Sequence, residues 1–90
     1  MIRVSVKFLH RAGDLVPEDK RLITAELPEG STLKVLLEYI RNNVSRRLAL
    51  GILEKRLIFT ILVNGVPAGR LEQKLKDGDS VVFLTPEMGG

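Results

Sequence analysis

The ninety-residue sequence predicts an α+β domain of two layers, one sheet and one principal helix. Three observations predict it. Ile2, Val4, Val6 and Phe8 alternate with Arg3, Ser5 and Lys7, the period of two that marks a half-buried strand. Leu33, Leu36, Leu37 and Ile40 recur at helical spacing behind a hydroxyl residue able to cap. Two further apolar runs, Leu57 to Val63 and Val81 to Leu84, are each bounded by glycine-containing turns.

In chain order, Ile2 to Phe8 is the first strand. His10 to Lys20 holds Gly13-Asp14, Pro17 and a run of charge, and reads as a connecting loop. His10, the single histidine, stands without cysteine or clustered carboxylates and reads as an exposed loop residue rather than a ligand. Arg21 to Leu27 gives a second strand with Ile23, Ala25 and Leu27 on one face, an antiparallel neighbour of the first. It stops at Pro28-Glu29-Gly30. Ser31 or Thr32 then caps the main helix, which Asn42-Asn43 ends. Arg46 to Arg56 carries Leu48, Leu50, Ile52 and Leu53; it reads either as a short helix around Gly51 or as an irregular apolar loop, because glycine costs a helix interior about 1 kcal/mol.

Leu57 to Val63 reads as a strand buried on both faces, closed by the hairpin signal Asn64-Gly65. Val66-Pro67-Ala68 is a short return strand that proline confines to an edge. Leu71 and Leu75 pin the next connection as one helical turn. Asp77-Gly78-Asp79 turns the chain into the last strand, where Val81 and Phe83 face opposite to Val82 and Leu84. Boundaries follow: a domain over residues 1–84 and a flexible tail over 85–90.

Composition narrows the function. At 44% hydrophobic and 28% charged the chain has an ordinary globular balance. The absence of cysteine removes disulfides, thiol nucleophiles and cysteine-held metals, and fits a reducing, cytoplasmic setting. No stretch has the length or apolarity of a signal peptide or membrane span. The net charge of +3 is dispersed; Arg46-Arg47 and Lys55-Arg56 suit a solvated face or an acidic partner protein, and no direct nucleic-acid contact is expected. Ser5, Ser31, Ser45 and Ser80 lack a nucleophile's setting, the glycines form no phosphate loop, and Asp77 and Asp79 suit a turn better than a metal. The chain is not expected to catalyse anything alone, nor to bind a cofactor of its own.

The remaining feature is the run Thr85-Pro86-Glu87-Met88-Gly89-Gly90. Pro86 cannot extend a ladder. Residues 85–90 span about 20 Å when extended. Two glycines lack the side chains that would obstruct a narrow channel or shield a terminal carbonyl from attack. A carboxylate meant to react would be presented this way.

Taken together, Leu62-Val63-Asn64-Gly65, then Leu75-Lys76-Asp77-Gly78-Asp79-Ser80-Val81-Val82-Phe83-Leu84-Thr85-Pro86, then Gly89-Gly90, with the capped helix from Gly30-Ser31-Thr32-Leu33 and the first strand, resemble the MoaD/ThiS family of ubiquitin-like sulfur carriers. Length and the Thr-Pro before the tail resemble the MoaD-like branch, although that family commonly has two prolines where this chain has Thr85-Pro86. The resemblance implies a β-grasp with a mixed sheet of four to five strands, first and last strands parallel at its centre. It implies that an adenylyltransferase resembling ubiquitin-activating enzyme uses ATP-Mg to adenylate Gly90, beside Gly89, and that the product becomes a thiocarboxylate. It further implies insertion of the tail into a MoaE-like catalytic subunit during molybdopterin synthesis. A ubiquitin-like modifier joined to lysines, a sulfur donor for tRNA thiolation, and an inert β-grasp interaction module stay open beside it. Val66, Val82, Leu84, Thr85, Pro86, Glu87 and Met88 are the expected partner-binding residues, with Lys7 on the same face; cover by the chain's own 44–57 segment is the alternative.

Overall fold

The computed structural model describes residues 1–85. Strand β1 (Ile2–Leu9) pairs antiparallel with β2 (Leu22–Leu27) and parallel with β5 (Ser80–Leu84). Strand β3 (Thr60–Val63) pairs antiparallel with β5 and, through the Asn64-Gly65 turn, with β4 (Val66–Pro67), giving the order β2-β1-β5-β3-β4. The last strand is therefore the middle one, hydrogen-bonded on both sides. Proline sits on the edge strand, where its missing N–H costs nothing.

Helix α2 (Leu33–Asn43) crosses one face. Of the two candidate caps it is Thr32 that accepts from the Val35 N–H, while the Ser31 hydroxyl donates back to the Pro28 carbonyl at 2.6 Å. Leu33, Leu36, Leu37 and Ile40 are fully buried against Val4, Val6, Phe8, Val81 and Phe83, with Phe8 and Phe83 stacked at 5.4 Å. Burying side chains of this size contributes about 1.5–3 kcal/mol each. This inner face is the core.

Three stretches differ from the sequence-based expectation, and a fourth settles a choice it left open. Between β1 and β2 the chain is not a plain loop: Arg11–Asp14 forms a short helix α1 and Glu18–Lys20 a 3₁₀ turn. Ala12 and Val16 enter the core, and the Gly13 backbone lies so close to β1 that a Cβ there would sit 3.2 Å from the Phe8 carbonyl oxygen. Of the two readings of Arg46 to Arg56 the helix holds: Arg46–Leu53 is α3, capped by Ser45 accepting from the Leu48 N–H at 3.1 Å. Gly51 stands inside it because Leu57 packs where its side chain would be, 2.3 Å from an added Cβ. The second difference is the Leu57 to Val63 run, of which only Thr60–Val63 is strand, with Ile61 and Val63 buried and Thr60 and Leu62 half-buried. Two causes explain it. Leu57 is drawn onto α3, its N–H donating to the Gly51 carbonyl at 2.9 Å. Continuing the Thr60–Leu84 register would also set Ile58 against Pro86, which has no N–H to give. The Leu71–Leu75 connection holds a turn rather than a helix, tied to the start of α2 by a bridge between Thr32 and Lys74.

Candidate functional site

Strand β5 delivers the chain to Thr85, and its alternation sorts its side chains. Val81 and Phe83 are fully buried under α2; Val82 and Leu84 point to the other side and stay half-buried. Register then places their neighbours. Val82 lies between Lys7 and Leu62, and Leu84 between Leu9 and Thr60. Leu22 is opposite Lys7, and Pro67 opposite Leu62. An apolar band thus crosses the outer face, interrupted by one lysine.

Segment 44–57 does not cover that band. Helix α3 packs on α2 and buries Leu48 and Ala49 in the core, on the inner side. Leu9, Leu22, Leu62 and Pro67 went unnoticed as candidates, although the Lys7 parity extended to Leu9 would have found the first. Val66 is not with Val82 and Leu84. It is opposite Val63, and paired residues share a face, so it stands on the inner side at the sheet edge, 64% exposed.

Thr85 is half-buried, and its Oγ1 accepts the Arg11 N–H at 3.1 Å. That bond ties the end of β5 to the start of α1. The candidates Pro86, Glu87, Met88, Gly89 and Gly90 lie outside the described residues.

The opposite end of β5 is held by carboxylates. Asp79 is buried; its Oδ1 accepts from Asn64 Nδ2 at 2.9 Å and its Oδ2 from the Lys76 N–H at 2.8 Å. Asn64, at φ 52, returns its Oδ1 to the Ser80 N–H. Asp77 Oδ1 accepts the Arg3 N–H at 2.8 Å. These oxygens are spent on amide donors, which is turn chemistry. His10 is exposed, with φ 55 at the junction of β1 and α1. No helix among the described residues is long and apolar enough to cross a membrane.

A mixed sheet with β1 and β5 parallel at its centre, crossed by one main helix and open on its outer face, is a ubiquitin-like β-grasp. Residues 13–90 match the ThiS family, and the chain belongs to that family, the MoaD/ThiS group of ubiquitin-like sulfur carriers. Among solved structures it is similar to a Pyrococcus furiosus protein described as molybdopterin converting factor subunit 1, at 27% identity and TM-score 0.70, with 96% of this chain and 99% of that one covered. It is also similar to small archaeal modifier protein 1 of H. volcanii, at 17% identity and TM-score 0.68, covering 96% and 99%. A third is subunit 1 of the molybdopterin-converting factor of Helicobacter pylori, solved in complex with subunit 2, at 22% identity and TM-score 0.65, covering 99% and 100%. The last two speak for the shared fold alone. No curated protein matches the chain in sequence.

Proposed function

We propose that this chain carries sulfur on the carboxyl group of Gly90 for molybdopterin synthesis, the cofactor of molybdenum or tungsten enzymes. The carboxylate attacks the α-phosphorus of ATP-Mg on an adenylyltransferase resembling ubiquitin-activating enzyme, and pyrophosphate leaves. Sulfide (HS⁻) then attacks the acyl carbon and displaces AMP, leaving a thiocarboxylate. The chain serves as protein co-substrate and small subunit beside a MoaE-like catalytic subunit, with Gly89 and Gly90 entering that subunit's site. The cytoplasm supplies the ATP. The observation that carries this reading is the family match, which spans residues 13–90 and so includes both β5 and Gly89-Gly90. The fold supports it by ending the most central strand at Thr85, so that a pull or push on the following residues acts against a ladder bonded on both sides.

A second reading keeps the activation and changes the acceptor: Gly90 is joined to lysines of other proteins, or its sulfur goes to tRNA. The name of one fold neighbour, small archaeal modifier protein 1, is what raises the first of these. Intact mass of the chain recovered from its own cells separates them. Exchange of one oxygen for sulfur marks the carrier, and lysine-linked adducts mark the modifier. A chain that shows neither, in cells whose molybdopterin synthesis survives deletion of Gly90, is an inert interaction module.

A further inference from the structure

Where β1 and β5 end and β3 begins, the molecule has a groove of about 470 Å³ lined by Arg11, Asp14, Leu15, Leu57, Ile58, Phe59 and Thr85. Ile58 is 80% exposed, the most exposed large apolar side chain among the described residues. Leu15 and Phe59 are partly buried and pack against the core, whereas Ile58 is exposed. Leu57 also lines an adjoining hollow of about 220 Å³ between Arg47 and Arg56. Residues 44–59 carry four cations, Arg46, Arg47, Lys55 and Arg56, against the one carboxylate of Glu54, a surplus equal to the whole chain's +3. One carboxylate, Asp14, lines the groove itself, where Arg21 lies 3.6 Å away and offsets its charge.

We propose that this groove is a docking site for the adenylating enzyme, which inserts an apolar side chain over Leu15 and Phe59 from a loop whose carboxylates meet Arg11, Arg47 and Arg56. The inference rests on the carrier reading above. Its geometric ground is reach. Thr85 lines the groove, and the five residues after it span at most about 17 Å. A standard interface takes about 800 Å² from each partner, a disc of roughly 16 Å radius. An enzyme that closes on Gly90 therefore covers the groove at the root of the tail, and burying Ile58 there against an apolar group is favourable where leaving it against water is not. Complementary charge around an apolar contact favours the encounter and fixes its orientation.

The test is ATP–pyrophosphate exchange by the purified adenylating enzyme with the full chain, comparing wild type, Ile58→Glu, Ile58→Lys and Arg56→Gln. The expected result is a KM for the carrier raised at least tenfold by Ile58→Glu, raised less by Ile58→Lys because a cation suits the acidic loop, and raised a few-fold at low salt by Arg56→Gln, with kcat unchanged throughout. Sedimentation of each variant checks the remaining occupants. An unchanged KM for Ile58→Glu overturns the groove as a docking site while the carrier reading stands. So does a wild-type dimer that Ile58→Glu dissociates with KM unchanged, which makes the occupant a second copy, or faster exchange by Ile58→Glu, which makes it the chain's own tail. Absence of exchange with the wild type overturns the carrier reading and this proposal together.

Discussion

The two ends of β5 are built on different principles. At the entry, residues 76–80 are stitched to two other segments, β1 and the Asn64 turn, and to themselves: Asp77 and Gly78 to Arg3, Asp79 to Asn64, Lys76 and, through its carbonyl, Ser5, and Ser80 to Asn64. At the exit, the Leu84 pairings with Leu9 and Thr60 are followed, among the described residues, by the Arg11–Thr85 bond, beside exposed Ile58 and half-buried Leu57. Directional bonds set the register at one end, where a slip would invert every side chain of the strand. The other end leaves apolar surface uncovered next to the point where the tail begins. One strand thus joins an anchor to a presenting surface.

The most severe break removes what the two ends share. Phe83→Ala deletes a fully buried ring stacked on Phe8 and should cost about 3–5 kcal/mol, read as a lower denaturation midpoint in urea. Next comes the anchor. Asp79→Ala removes the acceptor of both the Lys76 N–H and the Asn64 amide in a part-buried turn; at about 0.5–1.5 kcal/mol per bond, the cost is about 1–3 kcal/mol. Amide exchange at Lys76 and Ser80 should accelerate more than exchange in α2, which locates the loss at that end.

The same contrast explains which parts were legible in the sequence. The β1 and α2 patterns are regular because each buries one face and wets the other, so Ile2–Phe8 and Leu33–Ile40 could be read directly. The turns at Asn64-Gly65 and Gly78 were legible because positive φ selects those residues. Gly51 was ambiguous for a tertiary reason: the Leu57 contact that requires glycine lies six residues on and has no local signature. Ala12 and Val16 hid in a segment whose charges and proline spoke for a loop, although Ala12, Leu15 and Val16 keep helical spacing. The extent of β3 depended on where its partner strand stops. As for the site, the outer positions of β5 followed from parity alone, whereas Val66 needed the hairpin register and the exit groove needed all three chain segments that build it.

Gly51→Ala probes the exit from behind. An added Cβ meets Leu57 side-chain atoms at 2.3 and 2.6 Å, so Leu57 must move. Overpacking of this kind costs about 1–3 kcal/mol, against which Ala gains about 1 kcal/mol of helix propensity. A net loss of about 1 kcal/mol is expected in thermal unfolding, accompanied by altered exposure of Ile58. Val82→Ser on the outer face should cost less, because the side chain is only half-buried, while weakening association with the catalytic subunit measured by calorimetry.

The smallest effect belongs to Thr85→Val, which keeps the shape of the side chain and removes the acceptor of the Arg11 N–H. A single hydrogen bond contributes about 0.5–1.5 kcal/mol, and Thr85 is accessible enough for water to replace part of it, so the stability loss should stay below about 1 kcal/mol. Its consequence is local. With that bond absent, α1 and the end of β5 are joined only through packing, and the Arg11 amide should exchange faster while those of Val81 and Phe83 keep their protection. If Asp79→Ala and Thr85→Val shift the same amides, β5 responds as one unit and the two-ended description fails. If the anchor variant loosens the strand and the exit variant loosens only its last residue, the asymmetry is real, and the tail can be handled by a partner without disturbing the sheet that carries it.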